Sequence, residues 1–192
     1  VGAGYGYALT GSYGIAGTAA TLTKNGAGAV VLANANSYAG STAVNAGELT
    51  LGDGTVNGSL GANTAIAVAG GAAFAVNSAA SSSQTVANAI SGAGALKKRG
   101  SGTLTLSGQT AFPVTIVVEA GTLRLNPSSD FALASVITNM GAIEQLAKTV
   151  AVTNAAYVKG VGSNTWTVQS GATLSFAGDY SAANYLGGLS EV

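Results

Sequence analysis

Residues 22–51 read LTKNGAGAVVLANANSYAGSTAVNAGELTL and residues 96–125 read LKKRGSGTLTLSGQTAFPVTIVVEAGTLRL; they superimpose without a gap at an offset of 74 positions. Gly26 falls on Gly100, Gly28 on Gly102, Leu32 on Leu106, Tyr38 on Phe112, Val44 on Val118, and Ala46-Gly47 on Ala120-Gly121. Leu49 and Leu51 then fall on Leu123 and Leu125. Small residues, aliphatics and one aromatic hold their places while polar residues drift. That pattern marks a stacked architecture, in which each unit buries its apolar face only against its neighbours.

A shorter phrase recurs more widely: a valine, a glycine three residues later, then alternating aliphatics. Val68 to Gly71 leads to Phe74 and Val76, Val118 to Gly121 leads to Leu123 and Leu125, and Val168 to Gly171 leads to Leu174 and Phe176. A weaker copy runs from Ile137 through Gly141 to Ile143. The turn glycines at 47, 71, 121, 141 and 171 are separated by 24, 50, 20 and 30 residues. With one weakly marked turn inside the gap of 50, near Gly94 to Gly100, the unit is about 20 to 30 residues.

A unit this short cannot bury its own apolar face. The expected fold is therefore all-β: a parallel β-helix, or β-solenoid, with one coil per phrase. Ala29 to Leu32 is an apolar run too short for a helix, and in Glu48 to Leu51 polar residues alternate with leucines, as in a strand with one packed face. Gly26, Gly28, Gly47, Gly71, Gly100, Gly102, Gly121 and Gly171 are the expected structural turns, since glycine permits the bends between faces. About eight or nine coils, at roughly 4.8 Å per stacked strand, would make a rod on the order of 40 Å long. No proline-rich or Gly-Ser linker divides the chain, so one elongated domain is expected over residues 1–192. Ser128 to Leu133 reads as a loop, with a short helical turn before Val136.

Charged residues make up only 7% of the chain, seven basic and seven acidic, while 47% of residues are hydrophobic. Zero formal net charge gives no general attraction for nucleic acid or acidic lipid, and none is expected as a partner. Cysteine and histidine are both absent. Disulfides, thiolate or imidazole metal sites and the usual general base near neutral pH are thereby removed, so no catalytic residue, cofactor or metal is expected. The chain opens at Val1 without a signal peptide, which reads as a processed product or a fragment.

The two long repeats resemble the passenger-associated transport repeat of Gram-negative autotransporters. Leu22-Thr23-Lys24, Gly26, Gly28, Leu32, Asn36, Tyr38, Gly40, Thr42, Val44, Gly47, Leu49 and Leu51 match its usual phrase nearly throughout. The second copy keeps Gly100, Gly102, Leu104, Leu106, Phe112, Val118, Gly121, Leu123 and Leu125, but has Thr110 and Val114 in place of an asparagine and a glycine. The resemblance covers about a third of the chain. It implies a right-handed, single-stranded parallel β-helix passenger, exported across the outer membrane and then displayed or released. It also implies a translocator barrel elsewhere in the precursor, and carries no catalytic residues over.

Other motifs read blandly. Gly26-Ala-Gly28 and Gly100-Ser-Gly102 lack the third glycine and the helix of a phosphate-binding fingerprint. Lys97-Lys98-Arg99 reads as a solvated loop that discourages edge pairing, with docking of an anionic glycan or lipid as the alternative. Glu48 and Glu119 sit at almost equivalent repeat positions, several coils apart, and are not expected to meet. Tyr38 and Phe112 read as packing residues. Residues 1–20 read as an edge strand or a partner-pairing strand, and Tyr5, Tyr7 and Tyr185 as candidates for self-association, end to end or by strand addition. The functions left open are a stalk or adhesive scaffold with a host or matrix ligand, a subunit of an extracellular filament or coat, and a carbohydrate-active β-helix enzyme.

Overall fold

In a computed structural model, the structure describes residues 4–61, 65–108, 111–112, 115–133, 136–153, 157–159, 165–176 and 189–191. Every regular element among them is a strand, and all strand pairs are parallel. The first coils contain β1 (Gly6–Thr10), β2 (Leu22–Lys24), β3 (Ala29–Ala33), β4 (Thr42–Val44), β5 (Glu48–Leu51), β6 (Ile66–Val68) and β7 (Ala73–Asn77). The middle adds β8 (Ser83–Val86), β9 (Ile90–Gly92), β10 (Ala95–Arg99), β11 (Thr103–Leu106), β12 (Ala111–Phe112), β13 (Thr115–Val118), β14 (Thr122–Leu125) and β15 (Phe131–Leu133). The chain closes with β16 (Ile137–Asn139), β17 (Ala142–Gln145), β18 (Thr149–Val152), β19 (Tyr157–Lys159), β20 (Thr165–Val168), β21 (Thr173–Phe176) and β22 (Leu189–Glu191).

These strands stack as the faces of a β-solenoid. One face is a continuous eight-stranded sheet, β1-β3-β5-β7-β10-β13-β16-β19, called here the long sheet. The second face is β8-β11-β14-β17-β20-β22, and the third consists of β2-β4-β6-β9 followed by β12-β15-β18-β21. Eight stacked strands are joined by seven turns of the solenoid, so the expected eight or nine coils are corrected to about seven. Successive long-sheet strands start between 19 and 25 residues apart. The count falls because loops, such as the one between β5 and β6, lengthen some coils without adding a rung. At about 4.8 Å per step the long sheet extends about 34 Å.

Strict alternation within each strand sends one set of side chains inward, where residues of equal register stack. On the long sheet Val30, Leu49, Phe74, Leu96, Ile116 and Ile137 form one inward column. Leu104, Leu123, Ile143 and Trp166 form another on the second face, and Phe131, Val150 and Leu174 one on the third. Most of these side chains are buried and belong to one continuous apolar core. The stretch Ser128 to Leu133, expected as a loop, ends in β15, because Phe131 and Leu133 fill inward positions beneath Val150 and Val152.

Below β8 the second face has no strands. Its rungs are held by main-chain bonds such as Ser37 N to Ile15 O (2.8 Å) and Ser59 N to Asn34 O (3.1 Å). Buried asparagines complete them: Asn34 Nδ2 donates to Tyr13 O (2.8 Å), Asn36 Nδ2 to Ser59 O (2.7 Å), and Asn36 Oδ1 accepts from Ile15 N (2.8 Å). Side-chain amides there replace the main-chain partners that a buried rung must find.

Candidate functional site

The two copies of the repeat occupy different corners of the solenoid. In the first, β2 on the third face passes through Gly26 and Gly28 into β3 on the long sheet. The closing half of the same repeat, β4 to β5, lies directly on it, with Lys24 against Val44, Ala29 against Glu48 and Leu32 against Leu51. In the second copy, β10 on the long sheet passes through Gly100 and Gly102 into β11 on the second face, and β13 to β14 lies on it. Lys98 there pairs with Val118, Thr103 with Thr122 and Leu106 with Leu125. A 30-residue repeat is longer than a coil because it comprises one corner and the corner stacked on it.

The same shift explains the uneven glycine spacing. Gly47 and Gly71 turn from the third face to the long sheet, Gly100, Gly121 and Gly141 from the long sheet to the second face, and Gly171 from the second face to the third. The gap of 50 spans two kinds of corner.

Glycine is required at the upper corner for two reasons. Gly47 and Gly121 adopt φ of +66° and +68°, the left-handed region that L side chains avoid. A Cβ on Gly47 would also overlap the Gly28 and Gly26 carbonyl oxygens, 2.7 Å from the latter, and one on Gly121 would overlap those of Gly100 and Gly102, 2.5 Å from the latter. Gly71 and Gly171 also have positive φ, yet a Cβ there meets nothing within 4 Å.

At the heart of each corner is a buried lysine. Lys24 and Lys98, at the same place in the two copies, are 3% and 1% exposed. Lys24 Nζ donates to Asn25 O (3.1 Å) and Gly26 O (2.6 Å) of its own turn and to Ala46 O (2.8 Å) of the turn above. Lys98 Nζ donates to Arg99 O (2.5 Å), Gly100 O (2.7 Å) and Ala120 O (3.3 Å) in the same arrangement. Three ammonium protons thus meet three corner carbonyls, and each lysine staples one coil to the next.

Amides do the same elsewhere. Gln145 Nε2 bridges Lys148 O and Thr173 O, both at 2.8 Å, and Asn139 Nδ2 reaches Thr165 O at 3.1 Å while its Oδ1 accepts from Gly141 N at 3.1 Å. The sequence reading missed these staples, although Lys24 and Lys98 lie in phase with the inward residues Leu22 and Leu96. Lys97-Lys98-Arg99 is accordingly corrected from a solvated loop to strand β10, with Lys98 inside the solenoid.

Burial pushes the Lys98 ammonium down to about 8, against about 10.4 in an unfolded chain. Between these values the unfolded chain holds more protons, so this group makes stability rise with pH across that window. Denaturation of the wild type and of Lys98→Met at pH 8 to 10 should show the difference between them growing by at most about 1.4 kcal/mol per pH unit, with the wild type gaining. A pH-independent difference would contradict the assignment.

On the outside of the long sheet, Glu48 on β5 reaches over β7 to β10. Lys97 Nζ lies 3.0 Å from its carboxylate, Arg99 Nη1 also bonds it, and Arg99 Nε holds Glu119 at 2.8 Å. Glu48 and Glu119, expected not to meet, share Arg99. The network crosses β7 because Ala73 and Ala75 are small, and it covers both. Burial works to raise the Glu48 carboxyl, but Arg99 and Lys97 outweigh it and hold it below the usual carboxylate range. Glu48→Gln should cost no more than about 1 kcal/mol in denaturant titrations, and less in high salt, because these side chains are partly exposed.

The remaining described carboxylates have structural partners. Arg124 Nη2 lies 2.7 Å from Glu144. Asp53 accepts from Thr55 N and Val56 N, and Asp130 from Thr149 N. No group of residues suited to hold a metal ion occurs among the described residues. Tyr38 is fully buried with its hydroxyl 2.5 Å from Thr42 Oγ1, while the side chain of its counterpart Phe112 lies outside the described residues. Tyr5 and Tyr7 are 70% and 61% exposed. Tyr185 lies outside the described residues.

The fold and corners define a β-solenoid whose coils are joined by stapled glycine turns. The family model of the passenger-associated-transport-repeat matches residues 22–51 and 96–125, the two stretches built around Lys24 and Lys98. The chain therefore carries this repeat twice, over just under a third of its length, and both copies support the resemblance to autotransporter passengers. No curated protein and no solved structure matches the chain.

Proposed function

We propose that the chain is a non-catalytic segment of an exported autotransporter passenger, an elongated scaffold presented outside a Gram-negative cell. The carrying observation is the coincidence of the repeat with the coil-stacking corner: the motif organises one coil on the next and brings no reactive group together. The ion pairs and turn caps of Glu48, Glu119, Glu144, Asp53 and Asp130 support this reading over a carbohydrate-active enzyme, since glycoside hydrolysis needs two carboxylates facing one bond. In this reading the translocator barrel lies elsewhere in the precursor, and Gly26, Gly28, Gly47, Gly71, Gly100, Gly102, Gly121 and Gly171 serve as structural turns of one elongated domain.

The test places the chain between an export signal and a translocator barrel and measures antibody labelling and protease resistance on intact cells. The wild type should be displayed and resistant. A chain that stays inside the cell while the barrel inserts would overturn the reading.

A second reading, assembly into a filament or coat, is favoured by the first coil. β1 is the terminal strand of the long sheet, and Tyr7 and Leu9 continue the inward columns of Val30 and Leu32 but remain exposed. An edge and core columns left open in this way suit the stacking of another copy. Light scattering of the Tyr5→Ser, Tyr7→Ser, Tyr185→Ser variant should show weaker self-association than the wild type; unchanged association would remove these residues from the contact.

A further inference from the structure

The ladder of the second face begins at β8, which pairs only with β11. The rung beneath it, residues 57–61, is joined to the β8 rung through side chains. Gln84 Nε2 donates to Gly58 O, Asn88 Nδ2 to Gly61 O at 3.1 Å, and Asn57 Oδ1 accepts from Ala79 N at 2.9 Å. Between the two rungs lies a groove of about 310 Å³, with Ser59, Ser83 and Thr85 among its walls and Leu51, Leu60 and Val86 as apolar lining. No charged side chain lines it.

The direction of the β8 main chain follows from its bonds. Ser82 O accepts from Thr103 N and Val86 O from Ser107 N, so these residues face β11. Alternation along a parallel strand then turns the N–H and C=O groups of Ser83 and Thr85 the other way, toward the groove. These two pairs are about 6.6 Å apart, the period of alternate residues in an extended chain. Gln84 is more than nine-tenths buried at the same wall, and its Oε1 has no hydrogen-bond partner.

We propose that this groove takes an extended, uncharged peptide segment of a partner protein, which adds a short strand to the free edge of β8. Main-chain bonds to Ser83 and Thr85 hold the segment, as in other cases of strand addition. A neutral groove excludes charged side chains, because it offers no counter-ion to a buried charge. Leu51, Leu60 and Val86 seat one aliphatic side chain, and an N–H of the segment gives Gln84 Oε1 its partner. The inference is independent of the export route, since a stalk or a coat subunit would present the same edge.

The test uses the full chain and a capped peptide copying residues 101–108, SGTLTLSG, whose strand already pairs with the other edge of β8. Titration by nuclear magnetic resonance should show saturable binding and slowed hydrogen exchange at the Ser83 and Thr85 amides. Thr85→Pro removes an outward N–H while leaving the β11 ladder intact, a substitution that edge strands accept. It should weaken binding about tenfold with an unchanged circular dichroism spectrum, the factor expected for one hydrogen bond. Unchanged affinity of Thr85→Pro would overturn the proposal. So would unaltered exchange at both amides of the wild type, or protection of those amides by maltotriose and not by the peptide.

Discussion

Gly121→Ala is expected to lower stability by about 4 kcal/mol, whereas Gly71→Ala, with the same backbone sign, should lose only about 1 kcal/mol. Both residues have positive φ, +68° and +80°, so left-handed strain applies to each. The difference lies in the space around the added methyl. At Gly71 it meets nothing within 4 Å, while at Gly121 it overlaps two carbonyl oxygens of the coil below and comes within 2.9 Å of Lys98 Nζ. Backbone cannot give way there without separating the coils and breaking the staple, so overlap adds to strain. Urea titrations followed by circular dichroism measure both losses, and equal losses would refute the stacking role of Gly121.

Lys98→Met should lose about 2 to 3 kcal/mol although methionine nearly conserves the volume. The substitution removes three charge-assisted bonds and strands the corner carbonyls of Arg99, Gly100 and Ala120. Relief of lysine desolvation offsets part of that loss, which keeps the expected value below the full cost of three orphaned acceptors. Lys24→Met should behave alike, because the same three kinds of carbonyl surround it. Lys97→Met is the control: its ammonium lies on the outer face and should cost less than about 1 kcal/mol. A Lys98→Met loss no larger than that of Lys97→Met would show that the ammonium is not a staple.

The solenoid was legible in the sequence because its determinants are local. Alternating aliphatics at Leu49 and Leu51 or Leu123 and Leu125, each set after a glycine, specify short strands separated by tight turns. The number of coils was less legible, since the glycine phrase marks a corner without saying which one. Phe131 and Leu133 were hidden behind Asn126-Pro127, where turn residues suggested a loop and inward stacking under Val150 and Val152 prevailed. The function of Lys98 was obscured by its neighbours, as Lys97 and Arg99 face outward and make the triplet look like a wet cluster.

By itself the sequence determined the strand alternation, the glycine corners and the repeated phrase that links residues 22–51 to residues 96–125. Each of these follows from backbone conformation or side-chain period, which neighbouring residues set. Tertiary structure alone decided that the two copies sit on different corners, that Glu48 and Glu119 meet through Arg99, and that lysine ammoniums close the turns between coils. Those contacts join residues about 20 to 50 positions apart, and only the lengths of the intervening coils fix which of them become neighbours.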